Sequence, residues 1–515
     1  MKVNIGSWAT RNGQIFRGKT ALVVVGRTVS YKQMDERINR LASALKSRGL
    51  TKGDRVALLL FNSIEYVEAF FACAKVGMIA VPLNFRLSAE ELGYVLNDCK
   101  ASALLYDPML TPQAEALAAS VPSLSLLVRT PLFGDAAAAS LPPAPDRPIY
   151  GELLASGSTA ETLDEEVGGD DVVLLMYTSG TTGKPKGVML THDNCFFQSV
   201  NGWALGISPD VISLVVLPLF HVGGLNGSVT PILHAGGTII LVPKFEPADV
   251  LRLVEEHKAH GIMAVPTVYQ MLLEHPDFKT RNLSSLQVLI SGGAPLPEAL
   301  MNSYHELGFE MRQGYGLTEA SPGVSGMGPR DDRKKPGSVG RPCLYTNVRI
   351  ISDQGETLPD GEVGEIIVRG PNVMKGYWGL ESETSAVLKD GWLYTGDLGY
   401  FDADGYLYIA GRKKEMIISG GENVYPGEIE QVLCNHPDVA IAAVVGAPHD
   451  LWGEVPVAFV MPFPGKTPAP QALVEFVAQR LAKYKVPREV FVESILPMNA
   501  AGKILKNELK GRLKA

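Results

Sequence analysis

Apolar strands alternate with amphipathic helices along the first part of the chain. Short apolar runs stand at residues 56–60, 79–83 and Ala103–Tyr106, and helical periodicity separates them at Ile64–Lys75 and Ala89–Asp98. This alternation is typical of βαβ units, which build a mainly parallel sheet. It predicts a doubly wound α/β subdomain.

A second region with the same alternation begins at the apolar run 172–176, and further strands are predicted at residues 213–217, 238–242, 261–265 and 287–291. The first run is continuously apolar, as expected for a strand that a parallel sheet buries on both faces. Two loop-like stretches, 132–148 and 156–171, separate the two regions. The pattern therefore predicts two doubly wound subdomains.

Beyond Pro336 the pattern changes to short β-rich segments separated by turn residues, among them the hairpin signal Asp404-Gly405. A small β-subdomain is expected through Arg412. After Lys414 we predict helices at 426–435 and 469–483 and strands at 439–446, 457–462 and 489–492, a compact α+β unit. The fold class is therefore α/β, with a large N-terminal domain of residues 1–412 and a small C-terminal domain of residues 413–515.

The composition indicates a folded protein that acts on small molecules. The 515 residues exceed what one hydrophobic core supports, and 46% of them are apolar. The net charge of −8 leaves no basic footprint for nucleic acid. The cysteines have no CxxC spacing, which disfavours a disulfide scaffold and a zinc site; they are Cys73, Cys99, Cys195, Cys343 and Cys434.

The chain carries no targeting signal that we recognise. The first residues lack the apolar core of a secretory signal, and no apolar segment is long enough to span a bilayer. The last residues lack the Ser-Lys-Leu peroxisomal address. We expect a cytoplasmic enzyme without an integral membrane segment.

A loop dense in glycine and hydroxyl groups follows the buried run 172–176 and extends from Tyr177 to Gly187. Glycines let the backbone N–H groups approach an anion, and hydroxyls and lysines add donors and charge. The loop therefore predicts a phosphate site. It is not a Walker A motif, because Pro185 follows Lys184 where that motif has Ser or Thr.

The loop resembles the phosphate loop of the adenylate-forming superfamily, which includes acyl-CoA synthetases, firefly luciferase and the adenylation domains of peptide synthetases. Further segments match that superfamily in order and spacing: residues 291–295, 313–319, 392–397, 411–423 and 499–504. The chain is identified as a member of its acyl-CoA synthetase branch, and the resemblance covers essentially the whole sequence.

The resemblance implies a role for each matching position. Tyr315 packs on adenine, Thr318 contacts the α-phosphate, and Glu319 binds Mg²⁺, a metal that suits one carboxylate plus phosphate oxygens. Asp397 and Arg412 hold the ribose hydroxyls, while Lys186 and Lys503 offset charge at the reacting phosphate. The implied ATP site further includes Thr178, Ser179, Gly180, Thr181, Thr182, Gly183, Lys184, Gly292, Gly293, Ala294, Gln313, Gly314 and Gly316.

The resemblance also implies that the C-terminal domain is a mobile lid. Lys414 occupies the hinge position, and Ser419, Gly420 and Gly421 form the loop that enters the active site for thioester formation. Glycines suit that place because the pantetheine arm passes close to the backbone. Trp452 and Tyr484 are candidates to pack against the CoA nucleotide, and ordinary lid packing is the equally weighted alternative.

The acyl pocket is expected around residues that are mostly small or apolar. Amino-acid-activating relatives carry Asp directly after the position of Phe220; here that place is His221, so an amino-acid substrate is disfavoured, because a buried ammonium needs a charge partner. A hydrophobic monocarboxylate is expected, either a medium- or long-chain fatty acid or an aryl or cinnamic-type acid. The candidate lining residues are Trp203, Phe220, His221, Thr267 and Val324, with Gly292, Gly314 and Gly316.

The expected reaction joins a carboxylic acid to coenzyme A at the expense of ATP, with Mg²⁺ as cofactor. The acid and ATP give an acyl-adenylate and pyrophosphate, and CoA then displaces AMP. Three alternatives stay open at this point: an adenylating enzyme that loads a separate acyl carrier protein, a luciferase-like oxygenase, and a catalytically inactive binding relative, which the presence of all the motif residues disfavours. The expected partners are small molecules, and the sequence is compatible with a homodimer.

Overall fold

The computed structural model describes residues 3–132, 147–179, 184–420, 422–498 and 504–513. Its α-helices are α1 Ser7–Ile15, α2 Tyr31–Ser47, α3 Ile64–Lys75, α4 Ala89–Asp98, α5 Thr111–Ser120, α6 Tyr150–Ser156, α7 His192–Ala204, α8 Thr230–Ala235, α9 Pro247–His257, α10 Pro266–Glu274, α11 Glu298–Glu306, α12 Glu381–Val387, α13 Pro426–Cys434, α14 Pro470–Ala478 and α15 Lys506–Arg512.

The strands of the two largest sheets come from the first three quarters of the chain. The strands up to Pro342 are β1 Thr20–Val24, β2 Arg27–Ser30, β3 Arg55–Leu59, β4 Ile79–Pro82, β5 Ala103–Tyr106, β6 Leu126–Arg129, β7 Val172–Ser179, β8 Pro185–Thr191, β9 Ile212–Val215, β10 Thr238–Leu241, β11 Gly261–Ala264, β12 Val288–Ser291, β13 Glu310–Gly316, β14 Gly323–Gly326 and β15 Arg341–Pro342.

The remaining strands are β16 Asn347–Ile351, β17 Gly364–Arg369, β18 Gly376–Tyr377, β19 Leu388–Lys389, β20 Trp392–Phe401, β21 Leu407–Arg412, β22 Ile417–Ser419, β23 Glu422–Val424, β24 Val439–His449, β25 Gly453–Pro462 and β26 Glu489–Val492. Apart from β18, which pairs with β8 in a large sheet, these strands build the β-subdomain and the C-terminal unit.

Four sheets are seen within the described residues. One has the strand order β18-β8-β7-β4-β3-β5-β6, and a larger one has the order β15-β14-β13-β12-β11-β9-β10-β1-β2. A smaller sheet runs β16-β17-β20-β19 with β21 beside β20, and the C-terminal sheet runs β23-β22-β25-β24 with β26 beside β25. The mixed α/β class and the layout of two large sheets, a β-subdomain and a small C-terminal unit confirm the prediction.

The two large sheets do not divide where the sequence pattern suggested. β7, which opens the second predicted region, pairs in parallel with β4 of the first sheet, whereas β1 pairs with β10 of the second. The N-terminal strands β1 and β2 had no place in the prediction. Periodicity identifies a strand but not its neighbour, because neighbours are decided by packing between distant segments.

The helix α3 is buried along its whole length, including Glu65, Glu68 and Lys75. A helix buried on all sides needs its charges paired. Arg37 binds Glu68 with Nε–Oε1 and Nη2–Oε2 distances of 2.5 and 3.0 Å, and Tyr150 donates to Glu68. Burial is the largest influence on Glu68 and raises the pKa of its carboxyl, although Arg37 opposes the shift.

Side-chain capping boxes define the first residues of three helices. Ser30 and Gln33 form a capping box at α2, Ser88 and Glu91 form one at α4, and Thr191 and Asn194 form one at α7. The predicted C-terminal helix at 469–483 is shorter than expected. The helix α14 ends at Ala478, where the cap at Gln479 donates back to Glu475 and Ala482 adopts an extended backbone.

Candidate functional site

Two strand ends of the larger sheet bring the segments 292–294 and 314–316 together. β12 and β13 run parallel with Ser291 opposite Gln313, so the chain leaves both strands at one edge. A Cβ at Gly292 would lie 3.4 Å from the carbonyl oxygen of Gly314, and one at Gly316 would lie 2.0 Å from that of Pro322. Only glycine fits at position 316. The structure therefore brings together these predicted adenine-site segments.

Asp397, Tyr315 and Arg412 form a connected group next to this edge. The Tyr315 hydroxyl donates to Asp397 Oδ2 at 2.6 Å, and Arg412 Nε lies 3.1 Å from Asp397 Oδ1. Asp397 and Arg412 are direct partners on the antiparallel strands β20 and β21. The Asp397 side chain is 8% exposed, so the two donors compensate the burial of its charge.

The predicted phosphate loop begins and ends in two strands, β7 and β8, that pair antiparallel with Thr178 opposite Lys186. The sequence pattern had indicated the first of these strands only. Gly187 is needed for packing: a Cβ there would lie 3.0 Å from the Tyr177 ring and 3.3 Å from Trp378. Four predicted phosphate-loop positions, Gly180, Thr181, Thr182 and Gly183, lie outside the described residues, as does the side chain of Ser179. Lys184 lies beside Tyr94, with Nζ 5.8 Å from the ring centroid.

Lys186 and Glu319 meet at a tyrosine that the sequence analysis did not select. Tyr377 donates its hydroxyl to Glu319 Oε1 at 2.9 Å, and Lys186 Nζ lies 5.3 Å from the centre of the Tyr377 ring. Lys186 also forms an ion pair with Glu383. Thr318 begins the short 3₁₀ turn that carries Glu319.

No cluster of three or more His, Cys, Asp or Glu side chains suited to a metal occurs among the residues that the structure describes. Glu319 nevertheless fits Mg²⁺, which usually binds one or two carboxylates and completes its coordination with phosphate oxygens and water. A metal at this carboxylate would thus depend on bound nucleotide.

Phe220 and His221 stand at the start of an apolar wall. Phe85 packs edge-on against Phe220 with the ring centroids 5.2 Å apart, and the Phe220 and His221 rings are 4.5 Å apart. Burial, with a smaller contribution from the charge of Arg86, lowers the pKa of His221 to about 4, so the imidazole is neutral near pH 7. Its Nε2 is buried and makes no hydrogen bond within the described part of the chain.

A π-helix at Gly223–Val229 follows this histidine. Such wide turns are rare and are frequently found at functional sites. The Met263 methyl group lies beside it: Cβ atoms placed at Gly223, Gly227 and Gly292 would be 3.9, 3.6 and 4.0 Å from Met263 Cε. Met263 is therefore a candidate wall residue that motif reasoning missed. No sequence motif marks Met263. It is recognised only because three glycines that are distant from it in the sequence lie close to its methyl group.

The other residues predicted to line the acyl pocket lie in three different environments. The Trp203 indole packs against His234 at 4.5 Å and donates to the carbonyl of Pro231, which places it against α8. Val324 is fully buried in the main core, and Thr267 is half-buried in the first turn of α10.

Most of the functional residues predicted for the C-terminal unit lie within the described part of the structure. Lys414 is exposed in a 3₁₀ turn, Ser419 is buried, and Tyr484 is 40% exposed. Gly420 has a φ of +62°, and a Cβ there would lie 2.6 Å from the half-exposed Trp452 ring. Both the backbone conformation and the close approach of the ring therefore require glycine. The predicted residues Gly421 and Lys503 lie outside the described residues.

Burial suppresses ionisation of the cysteine thiols. Burial raises the pKa of the thiols of Cys73, Cys99, Cys195, Cys343 and Cys434 to about 12. A thiol is nucleophilic as its thiolate, which such pKa values suppress near pH 7. Among the described helices none is both long and apolar enough to cross a membrane.

Comparison with known proteins places these features in a family. The model of the AMP-binding enzyme matches residues 9–378, and that of the AMP-binding enzyme C-terminal domain matches residues 428–503. The chain is 43% identical to a feruloyl-CoA synthase from an Amycolatopsis species over 99% of both chains. It is 40% identical to the indoleacetate–CoA ligase of Aromatoleum aromaticum, covering 99% of this chain and 98% of that protein.

A solved structure gives the same fold. The anthranilate CoA ligase in complex with anthranoyl-AMP superposes with a TM-score of 0.92 at 30% identity, covering 100% of this chain and 98% of the other.

Proposed function

Because the chain belongs to the family of AMP-binding enzymes, we propose that its site joins a hydrophobic aryl monocarboxylate to CoA through an acyl-adenylate. The class of reaction follows from the family: the protein is an AMP-forming acid–CoA ligase that uses ATP and CoA. The acid and the residues that act on it are our inference.

The main support for a nucleotide site is the hydrogen-bonded arrangement of Tyr315, Asp397 and Arg412. A buried carboxylate with two donors on it is held rigidly, and it keeps acceptor capacity for the two hydroxyls of a ribose. Tyr315 itself belongs to the glycine edge formed by residues 292–294 and 314–316, where we place the adenine. The group therefore supports ATP binding with the ribose at Asp397.

In the first half-reaction a carboxylate oxygen of the acid attacks the α-phosphorus, and the bond to pyrophosphate breaks. Lys186, Thr318 and Lys503 would stabilise the charge that develops on the phosphate oxygens. Mg²⁺ held by Glu319 would neutralise the phosphates as pyrophosphate leaves. In the second half-reaction the CoA thiolate attacks the acyl carbonyl carbon and AMP departs.

The pocket favours an aryl acid. His221 is neutral and half-buried beside Phe220, so its imidazole offers no charge to a second carboxylate. Gly223, Gly227 and Gly292 carry no side chains beside the Met263 methyl group, and such bare backbone suits the flat face of an aromatic ring. The names of both similar ligases contain aryl acids, feruloyl and indoleacetate.

We place the pivot of the lid at Lys414, next to the domain boundary between residues 412 and 413. Its neighbour Lys413 is tied to the N-terminal side by Asp353 at 2.9 Å and Glu365 at 3.1 Å. On the other side Glu415 is tied to the C-terminal unit by Lys506 at 3.0 Å. Rotation is therefore concentrated at the exposed Lys414 between two anchored neighbours. A turn there would bring Ser419, Gly420 and Trp452 to the acyl-adenylate to receive CoA.

A pyrophosphate-release screen tests this function. The purified protein is incubated with Mg·ATP, CoA and single acids from cinnamic, arylacetic, benzoic, long-chain fatty and dicarboxylic classes. We expect the highest kcat/KM among cinnamic or arylacetic acids, with the matching acyl-CoA as product. A preference for fatty acids would overturn the aryl assignment, and pyrophosphate release without acyl-CoA would indicate another thiol acceptor.

A further inference from the structure

One tyrosine contacts two charged residues that the reaction would use. The Tyr377 hydroxyl donates to Glu319 Oε1 at 2.9 Å, while the ammonium of Lys186 lies 5.3 Å from the centre of the Tyr377 ring. A cation at that distance from a ring face is attracted by the ring quadrupole. The two contacts use different parts of the side chain, so they can be removed separately.

Tyr377 is itself held in place. It lies on β18, which pairs with β8 so that Tyr377 stands opposite Val188, two residues from Lys186. Its backbone N–H donates to Thr384 Oγ1 at 2.9 Å, and the residue is 9% exposed. The same segment also binds the backbone of Glu319, because Met374 N–H donates to the Glu319 carbonyl at 2.8 Å. Glu319 is thus gripped at both its main chain and its carboxylate.

Lys186 has an ion-pair partner on the helix that holds Tyr377. Glu383 binds its ammonium from α12, one residue before Thr384. The Lys186 side chain is 14% exposed and that of Glu383 is 39% exposed. A partly exposed pair of this kind is weak enough for a triphosphate to displace, since phosphate offers several charged acceptors to one lysine.

We propose that Tyr377 is a positioning residue that orients Glu319 toward the metal and Lys186 toward the ATP phosphates, and that Glu383 is the counter-ion that Lys186 exchanges for phosphate. This inference rests on the proposed function only in assigning ATP to the site. The bond at Oε1 leaves the second carboxylate oxygen of Glu319 for Mg²⁺. The Tyr377 ring keeps the Lys186 ammonium beside the Glu319 carboxylate, both when Lys186 is paired with Glu383 and when it is paired with phosphate.

The two contacts of Tyr377 can be separated by substitution, because the hydroxyl makes one and the ring makes the other. Tyr377→Phe removes that donor and retains the ring, whereas Tyr377→Leu removes both contacts.

Calorimetric binding of ATP to the full chain, with Mg²⁺ and with the metal chelated, separates the roles without knowledge of the acid. Tyr377→Phe is expected to weaken Mg·ATP binding about tenfold, as other partners of metal ligands do, and to leave metal-free ATP binding unchanged. Tyr377→Leu should weaken both. Glu383→Gln should tighten both roughly threefold, because the amide no longer competes for Lys186.

Two variants serve as matched controls. Glu381→Gln removes an exposed charge from the same helix, and Tyr400→Phe removes a hydroxyl from the tyrosine stacked on Tyr408; neither is expected to change ATP binding. Thermal unfolding checks that every variant is folded. Equal losses with and without metal for Tyr377→Phe, or equal effects of the two glutamate variants, would overturn the proposal.

The wild-type protein separates this proposal from the proposed function. Binding of Mg·ATP with no acyl-CoA formed from any acid would count against the function and leave the positioning test intact. Normal acyl-CoA synthesis in Tyr377→Phe at limiting Mg²⁺ would count against the positioning role alone.

Discussion

The hydroxyl of Tyr315 donates a 2.6 Å hydrogen bond to Oδ2 of Asp397, a residue 82 positions away in the chain. This bond joins the end of β13 in the larger sheet to β20 of the β-subdomain. It therefore fixes a carboxylate of one subdomain against an aromatic ring of another, the two groups that we propose contact the ribose and the adenine.

Removing this hydroxyl should cost both stability and nucleotide affinity. Because the acceptor is a buried carboxylate, Tyr315→Phe is expected to lower the free energy of unfolding by about 2 kcal/mol. Urea denaturation measures this change, with Tyr408→Phe as the control. Asp397→Asn should weaken ATP binding by about tenfold or more in calorimetry. Unchanged ATP affinity in Asp397→Asn would remove the ribose assignment.

Lys503→Ala should separate the two half-reactions. Loss of an ammonium at the developing phosphate charge is expected to slow adenylate formation about a thousandfold, while thioester formation from presented acyl-AMP is largely kept. Single-turnover assays of each step make the comparison. Lys510→Ala is the matched control, since Lys510 lies on α15 and pairs with Glu454. Equal loss of both steps in Lys503→Ala would contradict the assignment.

Lys414→Pro should have the opposite effect. The proline ring fixes φ at the pivot, so the lid cannot turn fully. We expect adenylate formation to be retained and thioester formation to fall about tenfold or more. Lys414→Ala, which leaves the backbone free to rotate, should retain both steps. The pivot is misplaced if proline leaves thioester formation unchanged.

Met263→Ala should widen the acyl pocket. The methionine methyl group lies against the glycines at 223, 227 and 292, so its removal enlarges the space where the ring is proposed to bind. The ratio of kcat/KM for bulky over small aryl acids should rise about tenfold. Met271→Ala, at an exposed methionine of α10, should leave the ratio unchanged. The same ratio in both variants would exclude Met263 from the pocket.

Buried histidines should make stability depend on pH. Burial is the main cause that lowers the pKa of His192 and His221 to about 4 and of His234 to about 3, from 6.5. Below pH 6.5 the unfolded chain therefore binds protons that the folded chain does not. The free energy of unfolding should hold above pH 6.5 and fall toward pH 4, by about 1.4 kcal/mol per pH unit for each histidine.

Urea denaturation between pH 7.5 and pH 5 measures this slope, in steps of about half a unit, fine enough to resolve a one-proton change. His234→Phe keeps a ring against Trp8, whose centroid lies 3.8 Å from that of His234, and should reduce the slope by one proton. A slope that His234→Phe leaves unchanged would show that this imidazole is accessible to protons.

The local sequence pattern predicted the secondary structure well where the signals for an element lie within or next to that element. Helix α3 was expected at Ile64–Lys75 and is found there, because its apolar content and the Ser63 cap are local signals. The positions of β7 and β1 in the sheets were not predicted. A continuous apolar strand fits any buried sheet, and only contacts between distant segments choose one.

The sequence by itself determined the kind of chemistry. Its glycine-rich and carboxylate-bearing motifs are contiguous segments, so their order and spacing are visible without a structure. Tertiary structure decided which single residues complete the site: Tyr377 and Glu383 around Lys186, and Met263 among three glycines. Each of these is an ordinary residue in the sequence. Its role arises from contacts across tens to hundreds of positions, which only the packed sheets bring within reach of one another.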